Sequence, residues 1–267
     1  MKALFFLLSI GLQLDVYSQN TVPFEIGKTI EIQSEILNET RAINIYLPHD
    51  YSLDTADSYH VIYLLDGSAD EDFLHVCGLV QFYSFSWIGL LPPTIVVGIG
   101  NVDRRRDFTF PTSVEQDKID NPTCGGSALF MKFLEEELIP FMDKNYRLRS
   151  GRTIIGQSLG GLLVTELLFT NPTLFKNYFI ISPSLWWDHE SILDRPGSQV
   201  LANKNIYIAV GNEGKQMVNP AKELFQHLKK ENIGLFHVYF EYFKDRTHAD
   251  ILHEALEAGF EKVFNEQ

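Results

Sequence analysis

One short stretch constrains the fold more than any other part of the chain: residues 152–161, which read Arg-Thr-Ile-Ile-Gly-Gln-Ser-Leu-Gly-Gly. A β-branched run precedes the central Ser158, and a leucine-rich run with a helical pattern follows it. Strand, tight turn and helix in this order form a nucleophile elbow, which exposes a serine hydroxyl at a strained turn. Gly156 and Gly160 flank the turn, where we expect side chains to clash as strand and helix cross. The stretch predicts a catalytic Ser158; an ordinary glycine turn and the elbow of an inactive hydrolase are the alternatives.

The composition is that of an ordinary globular protein, and it narrows the choice of partners. The chain has 267 residues, of which 45% are hydrophobic and 21% are charged, enough for one large core in one domain. Its formal net charge of −13 argues against nucleic acid and anionic membrane surfaces as partners. The acidity does not identify a substrate, and the sequence leaves the oligomeric state open.

The first residues have the pattern of a secretory signal peptide. Lys2 is followed by the apolar run 3–12 and then by a polar stretch that ends near Ser18 and Gln19. Such a run is too short for a comfortable membrane span. We therefore expect residues 1–19 to be removed and residues 20–267 to form one exported domain, periplasmic or secreted, without stable membrane insertion. A buried N-terminal strand and a membrane anchor are the alternatives.

Hydrophobic periodicity predicts the order of the secondary structure. Residues 24–37 and 41–48 alternate apolar and polar side chains, which is typical of an antiparallel hairpin. Continuous apolar runs, typical of buried parallel strands, then alternate with helical patterns. The predicted strands are 59–65, 93–100, 153–155, 175–182, 205–211 and 235–243, the predicted helices are 70–85, 127–146, 162–169, 220–230 and 248–264, and 101–123 is a predicted loop. This order predicts an α/β fold with a mostly parallel central sheet, an antiparallel N-terminal hairpin and helices on both faces.

Two further residues complete the predicted catalytic group, because a serine hydroxyl needs a base and the base needs an acid to orient it. After a nucleophile elbow the acid comes first along the chain and the histidine second. His248 precedes the closing helix, where the base is expected, whereas His253 lies within that helix. Glu213, two residues past a predicted strand, is the preferred acid. Asp245 is the alternative, Glu241 is less favoured, and a Ser–His dyad without an acid stays open.

Backbone N–H groups are the expected donors to the negative oxygen that such a reaction forms. The N–H of Leu159 lies at the N-terminus of the elbow helix, where the helix dipole also favours negative charge. The second donor should come from the loop after the strand 59–65, where Ser68 follows Asp66-Gly67. Because the donor would be a backbone group, the side chain of Ser68 should matter little.

With these residues placed, the chain resembles the Putative esterase family of α/β-hydrolases, which includes esterase D-like enzymes, enterochelin esterase and its periplasmic relatives, and the antigen 85 acyltransferases. The resemblance covers nearly all of the chain after the signal segment. It rests on an ordered series of motifs: Tyr46-Leu47-Pro48, Tyr63-Leu64-Leu65-Asp66-Gly67, Arg106-Asp107-Phe108-Thr109, Glu137-Leu138-Ile139-Pro140, Gly156-Gln157-Ser158-Leu159-Gly160-Gly161 and Ser182-Pro183-Ser184-Leu185-Trp186-Trp187. It implies an α/β-hydrolase fold and ester hydrolysis through an acyl-enzyme. Ser158 and His248 carry over directly, and Glu213 less firmly because the acid varies within the family.

Other residues are candidates for the substrate pocket. Trp186 and Trp187 are expected to line an acyl or aryl pocket, unless they pack in the core. Arg106, in the basic run 104–106, is a candidate for binding an anionic group of the substrate, unless it pairs with neighbouring acids. The expected substrate is a small-molecule or glycan ester, such as a siderophore, feruloyl or acetyl ester. An acyltransferase with the same Ser–His pair and a non-catalytic binding protein on a hydrolase scaffold are the alternative functions.

Metal and cofactor motifs are absent from the sequence. Neither the residue spacing of a metal site nor a glycine-rich phosphate loop occurs, so no cofactor and no metal are expected. Cys77 and Cys124 either form a disulfide, which an exported location would permit, or stay as two thiols.

Overall fold

The fold is built on one eight-stranded sheet. The described residues of this computed structural model are 21–52, 58–195, 202–232 and 234–265, so the predicted signal peptide lies outside them. The strands are β1 (Lys28–Ser34), β2 (Glu39–Tyr46), β3 (His60–Leu64), β4 (Thr94–Ile99), β5 (Thr153–Gln157), β6 (Asn177–Ile181), β7 (Asn205–Gly211) and β8 (His237–Phe243). Their order across the sheet is β1-β2-β4-β3-β5-β6-β7-β8. The β1–β2 and β2–β4 pairs are antiparallel and all others are parallel, which confirms the predicted α/β architecture.

Helices cover both faces of this sheet, as predicted. The α-helices are α1 (Phe73–Tyr83), α2 (Arg104–Phe108), α3 (Glu115–Asp120), α4 (Ser127–Phe133), α5 (Ile139–Asn145), α6 (Leu159–Thr170), α7 (Lys215–Glu231) and α8 (Leu252–Phe264). A π-helical turn, Leu134–Leu138, joins α4 to α5, and a 3₁₀ segment, Trp187–Asp194, follows β6. One apolar cluster lies between the sheet and α4 to α7, and a second lies between the sheet and α1 and α8. Alternate residues along each buried strand therefore belong to opposite cores.

The segment 101–123, predicted to be a loop, contains the two short helices α2 and α3. Asp103 starts α2 because its side chain accepts a hydrogen bond from the Arg106 N–H at 3.0 Å, the usual arrangement at a helix N-cap. Asp107 in this helix is fully buried and pairs with Arg41 on β2. The polar residues that suggested a loop have structural roles instead. Asp103 caps the helix, and Asp107 forms an ion pair with a residue distant in sequence.

Two helix boundaries also differ from the prediction. Helix α7 begins at Lys215, so Pro220 lies inside the helix rather than at its start. Helix α8 begins at Leu252 rather than at His248. His248 therefore lies in the loop before the helix.

Both cysteines are free thiols in the structure, so the disulfide alternative is not realised. Cys77 packs on α1 within the second apolar cluster, and burial raises the pKa of its thiol to about 12. Across the described ranges, no helix combines the length and the apolar character needed to cross a membrane.

Candidate active site

Ser158 lies at the sharp turn between β5 and α6. Its backbone has φ = 61° and ψ = −121°, a conformation that residues other than glycine adopt only when the surroundings enforce it. Its N–H donates to the carbonyl oxygen of Ile181 at 3.0 Å, which ties the turn to the neighbouring strand β6. The strand, strained turn and helix form the nucleophile elbow that the sequence predicted.

The close crossing at this turn depends on one of its two flanking glycines. A Cβ added to Gly156 would overlap the carbonyl oxygen of Gly160, so only glycine fits there. A Cβ added to Gly160 would approach Asp66 Oδ2 to 3.4 Å, which is an ordinary contact. The expected clash at Gly160 is therefore wrong: its backbone, rather than its own lack of a side chain, makes the crossing tight.

His248 lies against a buried carboxylate. Its Nδ1 is 2.6 Å from Oε2 of Glu213, whose side chain is 3% exposed, whereas that of His248 is 45% exposed. Oε1 of Glu213 accepts the Ser182 hydroxyl at 2.5 Å and the Gly211 N–H at 2.9 Å. Burial alone would raise the pKa of Glu213, but the hydrogen bonds from His248, Ser182 and Gly211 together hold it below its ordinary value. The carboxylate therefore stays charged and contacts the imidazole at Nδ1.

The other candidate acids have different surroundings. The side chain of Asp245 is 80% exposed and lies 3.7 Å from Lys244 Nζ. Glu241 accepts the Tyr207 hydroxyl at 3.0 Å. Within the part of the chain that the structure describes, Glu213 is the carboxylate that contacts His248.

The loop that carries His248 crosses back over the carboxyl ends of the parallel strands. The Asn212 N–H, just past β7, donates to the carbonyl oxygen of Arg246 at 2.7 Å. The Gln157 amide, at the end of β5, donates to the carbonyl oxygen of His248 at 2.6 Å. A Cβ at Gly211 would lie 2.7 Å from the Arg246 oxygen, so the crossing requires glycine at the end of β7. These contacts hold the loop with His248 across the carboxyl ends of β5 and β7.

Two buried serines after β6 contact the predicted catalytic residues, and the sequence prediction missed both. Ser184 Oγ lies 3.3 Å from Ser158 Oγ, and the Ser184 N–H donates to the Ser158 carbonyl oxygen at 3.0 Å. Ser182, at φ = 41°, donates its hydroxyl to Glu213. Among the described residues, Ser184 rather than His248 is the side-chain partner of the Ser158 hydroxyl. The motif containing these serines was visible in the sequence, but the pairing of its strand between β5 and β7 was not.

The two expected backbone donors differ in their present partners. Leu159 is the first residue of α6, where N–H groups have no acceptor within the helix. The Ser68 N–H donates to Oε2 of Glu71 at 3.2 Å, and Asn101 also donates to the Glu71 carboxylate, at 3.1 Å. A substrate oxygen that binds the Ser68 N–H must therefore displace the exposed Glu71 side chain.

An open cavity of about 430 Å³ lies over the elbow. Its lining residues are mostly charged or polar: Asp66, Glu71, Asp72, Arg104, Gln157, Ser158 and His248. Arg104 donates from Nε to Oδ1 of Asp66 at 2.6 Å and from Nη2 to Oδ2 at 2.9 Å. The same Nη2 donates to the Gln157 carbonyl oxygen at 3.2 Å. Ser158 and His248 thus border one cavity, with a paired guanidinium beside them.

None of the three residues expected to bind substrate is among the residues that line this cavity. Trp187 is fully buried and donates its indole N–H to the carbonyl oxygen of Phe110 at 2.9 Å, an arrangement that satisfies a core tryptophan. Trp186 is half-buried against Trp187 and packs on the same core. Arg106 pairs with Glu39 and with Asp107. The cation at the cavity is Arg104 instead.

Comparison with known proteins identifies the family. The Esterase family model, described as Putative esterase, matches residues 34–248. The ferri-bacillibactin esterase BesA of Bacillus subtilis is 32% identical over 214 residues, which cover 72% of this chain and 74% of the relative.

Two solved structures share the fold over most of both chains. An IroE-like serine hydrolase from Shewanella oneidensis has a TM-score of 0.80 and 26% identity, covering 90% of this chain and 80% of that chain. The BES protein from Bacillus cereus has a TM-score of 0.79 and 29% identity, covering 91% of this chain and 97% of that chain. The chain therefore belongs to the Esterase family of α/β-hydrolases, and it is a carboxylic ester hydrolase.

Proposed function

We propose that the protein is a serine esterase that cleaves its substrate through an acyl-enzyme. Ser158 Oγ attacks the ester carbonyl carbon while Nε2 of His248 takes its proton, and the N–H groups of Leu159 and Ser68 receive the negative oxygen. His248 then gives this proton to the departing alkoxide, which leaves as an alcohol. Water, activated by the same imidazole, attacks the acyl-Ser158 ester and releases the acid. Glu213 keeps the resting proton on Nδ1 and stabilises the imidazolium.

The observation that carries this proposal is the contact between His248 and the ionised carboxylate of Glu213. This contact lies beside the cavity that Ser158 borders. A buried, ionised carboxylate on Nδ1 has the geometry that makes Nε2 a base. The Ser158 hydroxyl now contacts Ser184 and must turn to His248 for the reaction. Such catalytic hydrogen bonds are often long before substrate binds and tighten in the complex.

For the substrate we propose a siderophore ester. The support is the similarity to BesA, which is named for the hydrolysis of ferri-bacillibactin. The cavity volume of about 430 Å³ lies within the range of small-molecule sites, roughly 300 to 1,000 Å³. Because the cavity is open to solvent, one ester arm of a larger molecule fits against Ser158 while the rest stays outside.

A fluorophosphonate probe tests the nucleophile. We expect one covalent adduct, which mass spectrometry should assign to Ser158 rather than to the neighbouring Ser184, and Ser158→Ala should abolish it. If no adduct forms on the folded protein, the serine is not activated, and a binding protein on a hydrolase scaffold becomes the better description.

A panel of esters tests the substrate. It should contain catecholate and hydroxamate siderophore esters, feruloyl and acetyl sugars, and short p-nitrophenyl esters. We expect kcat/KM to be highest for a siderophore ester, and a preference for sugar esters would overturn that proposal. An alcohol acceptor added to the same reactions separates the mechanisms, because transfer of the acyl group to the alcohol in preference to water would make the protein an acyltransferase.

A further inference from the structure

The cavity that Ser158 and His248 share is acidic. Asp66, Glu71 and Asp72 contribute three carboxylates to its lining and Arg104 contributes one guanidinium, which leaves a formal excess of two negative charges. The chain as a whole has a formal net charge of −13. Charges of one sign that line a concave site concentrate ligands of the opposite sign and repel those of the same sign.

The guanidinium of Arg104 is already committed to a partner. Both oxygens of Asp66 accept from it, at 2.6 and 2.9 Å, and its Nη2 also donates to the Gln157 carbonyl oxygen. This bidentate pairing satisfies the geometry through which arginine binds a substrate carboxylate or phosphate. Among the described residues that line the cavity, the one cation is therefore neutralised, and the charges of Glu71 and Asp72 remain.

Asp72 is not explained by a structural role in the helix that it precedes. It occupies the N-cap of α1, but its side chain accepts no capping hydrogen bond. Capping would lower the pKa of the carboxyl group. Instead burial, and after it the charges of Asp66 and Glu71, raise the pKa of Asp72 to about 6. A carboxylate at this position is destabilising, and a cationic or hydrogen-donating ligand group would offset that cost.

Glu71 places the second charge close to the bond that reacts. Its carboxylate accepts the Ser68 N–H at 3.2 Å, the backbone donor expected to bind the carbonyl oxygen of the substrate. An ester held by Ser68 and Leu159 displaces the Glu71 carboxylate from this N–H, but Glu71 remains part of the lining of the same cavity. An anionic group of the substrate in this cavity would meet both Glu71 and Asp72.

We propose that Glu71 and Asp72 make this cavity select esters by charge, accepting cationic and uncharged groups beside the scissile bond and rejecting anionic ones. The proposal rests on the esterase function proposed above and narrows its substrate class. Among siderophore esters it favours those whose groups next to the scissile bond are uncharged or cationic.

Three p-nitrophenyl esters test this selection. Their acyl chains have equal length and end in a trimethylammonium group, in the isosteric tert-butyl group, or in a carboxylate. We expect kcat/KM to fall in that order, by about tenfold from the cationic to the anionic ester at low ionic strength. The ratio should shrink in about 0.5 M sodium chloride, because salt screens exposed charges.

Two variants and a matched control assign the effect to the cavity. Glu71→Gln and Asp72→Asn should each reduce the cationic-to-anionic ratio by about twofold or more. Asp70→Asn, an exposed neighbour that does not line the cavity, should retain the wild-type ratio. A ratio of two kcat/KM values from one preparation does not depend on the fraction of folded protein or on changes in the chemistry common to both esters.

The outcomes separate the selection from the esterase function. If the uncharged ester is hydrolysed but the anionic ester reacts as fast as the cationic one, charge selection is wrong and the esterase stands. The same conclusion follows if Asp70→Asn alters the ratio as much as the two cavity variants do. If no ester reacts and the fluorophosphonate does not label Ser158, the proposed function fails and the selection fails with it.

Discussion

Replacing Glu213 by glutamine tests the catalytic assignment most directly. In the wild-type protein the carboxylate accepts hydrogen bonds from His248 Nδ1, from the Ser182 hydroxyl and from the Gly211 N–H. The glutamine carbonyl oxygen can keep the bonds from Ser182 and Gly211, but its NH₂ group must then face Nδ1. A donor opposite Nδ1 favours the tautomer with the proton on Nε2, and that tautomer cannot take the proton of Ser158.

The expected loss of activity is large. An acid-to-amide change that fixes the wrong tautomer lowers kcat by about 10⁴ in serine proteases. The side chain of His248 is 45% exposed, so solvent partly stabilises the imidazolium here, and we expect a loss of about 10³ to 10⁴, or roughly 4 to 5.5 kcal/mol of transition-state free energy. Substrate affinity should change little, because Glu213 does not line the cavity.

The same variant should unfold more easily at neutral pH. A charge-assisted hydrogen bond contributes about 1.5 to 3 kcal/mol, against about 0.5 to 1.5 for a neutral one, so Glu213→Gln should lose about 1 to 2 kcal/mol. The folded state holds the pKa of Glu213 below its ordinary value. Its contribution is therefore present above the ordinary glutamate pKa of about 4.3 and disappears as the pH falls through the lower folded value. The difference in unfolding free energy between wild type and variant should shrink accordingly below about pH 4.

Stopped-flow hydrolysis of p-nitrophenyl acetate, with denaturant unfolding on the same samples, measures both quantities. The matched control is Asp245→Asn, because Asp245 is near His248 in sequence but its side chain is 80% exposed and lies beside Lys244. We expect this control to retain wild-type kcat and stability. A Glu213→Gln variant with kcat within about tenfold of wild type would refute the triad, and loss of activity in Asp245→Asn alone would make Asp245 the acid.

Three further predictions follow from the same geometry and from the N-terminal sequence. Ser158→Ala and His248→Ala should each lower kcat/KM by about 10³ or more, and the double variant should be no worse because the two side chains act as one unit; more than about a tenth of wild-type activity in Ser158→Ala would contradict this role. Asp72→Asn should raise the free energy of unfolding by about 1 kcal/mol at pH 8, after allowing for solvent screening, because burial raises the pKa of Asp72 to about 6. That gain should shrink as the pH falls below about 6 and vanish below about pH 3, where the carboxyl group is protonated in both states, and Asp70→Asn, its exposed neighbour, should show no gain. The native protein should begin near Gln19 or Asn20, which N-terminal sequencing checks, and an intact Met1 would contradict the predicted signal peptide.

The sequence predicted those features that depend on local pattern and chain order. The β-branched run, the glycines and the helix around Ser158 indicated the elbow, and the position of His248 after the last strand indicated a candidate base, which the structure places against Glu213. The roles of Ser182 and Ser184 depend instead on the pairing of β6 between β5 and β7. Strand pairing across a sheet is a long-range property, and no residue of the Ser182–Ser184 motif specifies its neighbours.

The positions of the predicted pocket residues also depend on long-range packing. Trp187 follows the motif that contacts the site, yet its ring points into the core, where Phe110 accepts its indole N–H. Arg106 belongs to a basic run beside the cavity, yet Glu39 and Asp107 bind it and Arg104 lines the cavity instead. Arg104 and Arg106 project from different sides of the short helix α2. The sequence predicted a loop for this segment, so it could not show which arginine faces the cavity.

Sheet geometry also explains why the acid that we propose follows β7 rather than a nearer or a farther strand. Neighbouring strands lie about 4.8 Å apart, so the ends of β5 and β7 are separated by about 10 Å, which is too far for direct contact between Ser158 and Glu213. An imidazole spans this gap only if its loop lies above the strand between them. The bonds from Asn212 to Arg246 and from Gln157 to His248 hold the loop there, and β6 ends beneath it in two serines that contact the acid and the nucleophile. Asp245 lies in the same loop as His248, but its side chain is 80% exposed and lies beside Lys244, so closeness in sequence does not bring it to the imidazole.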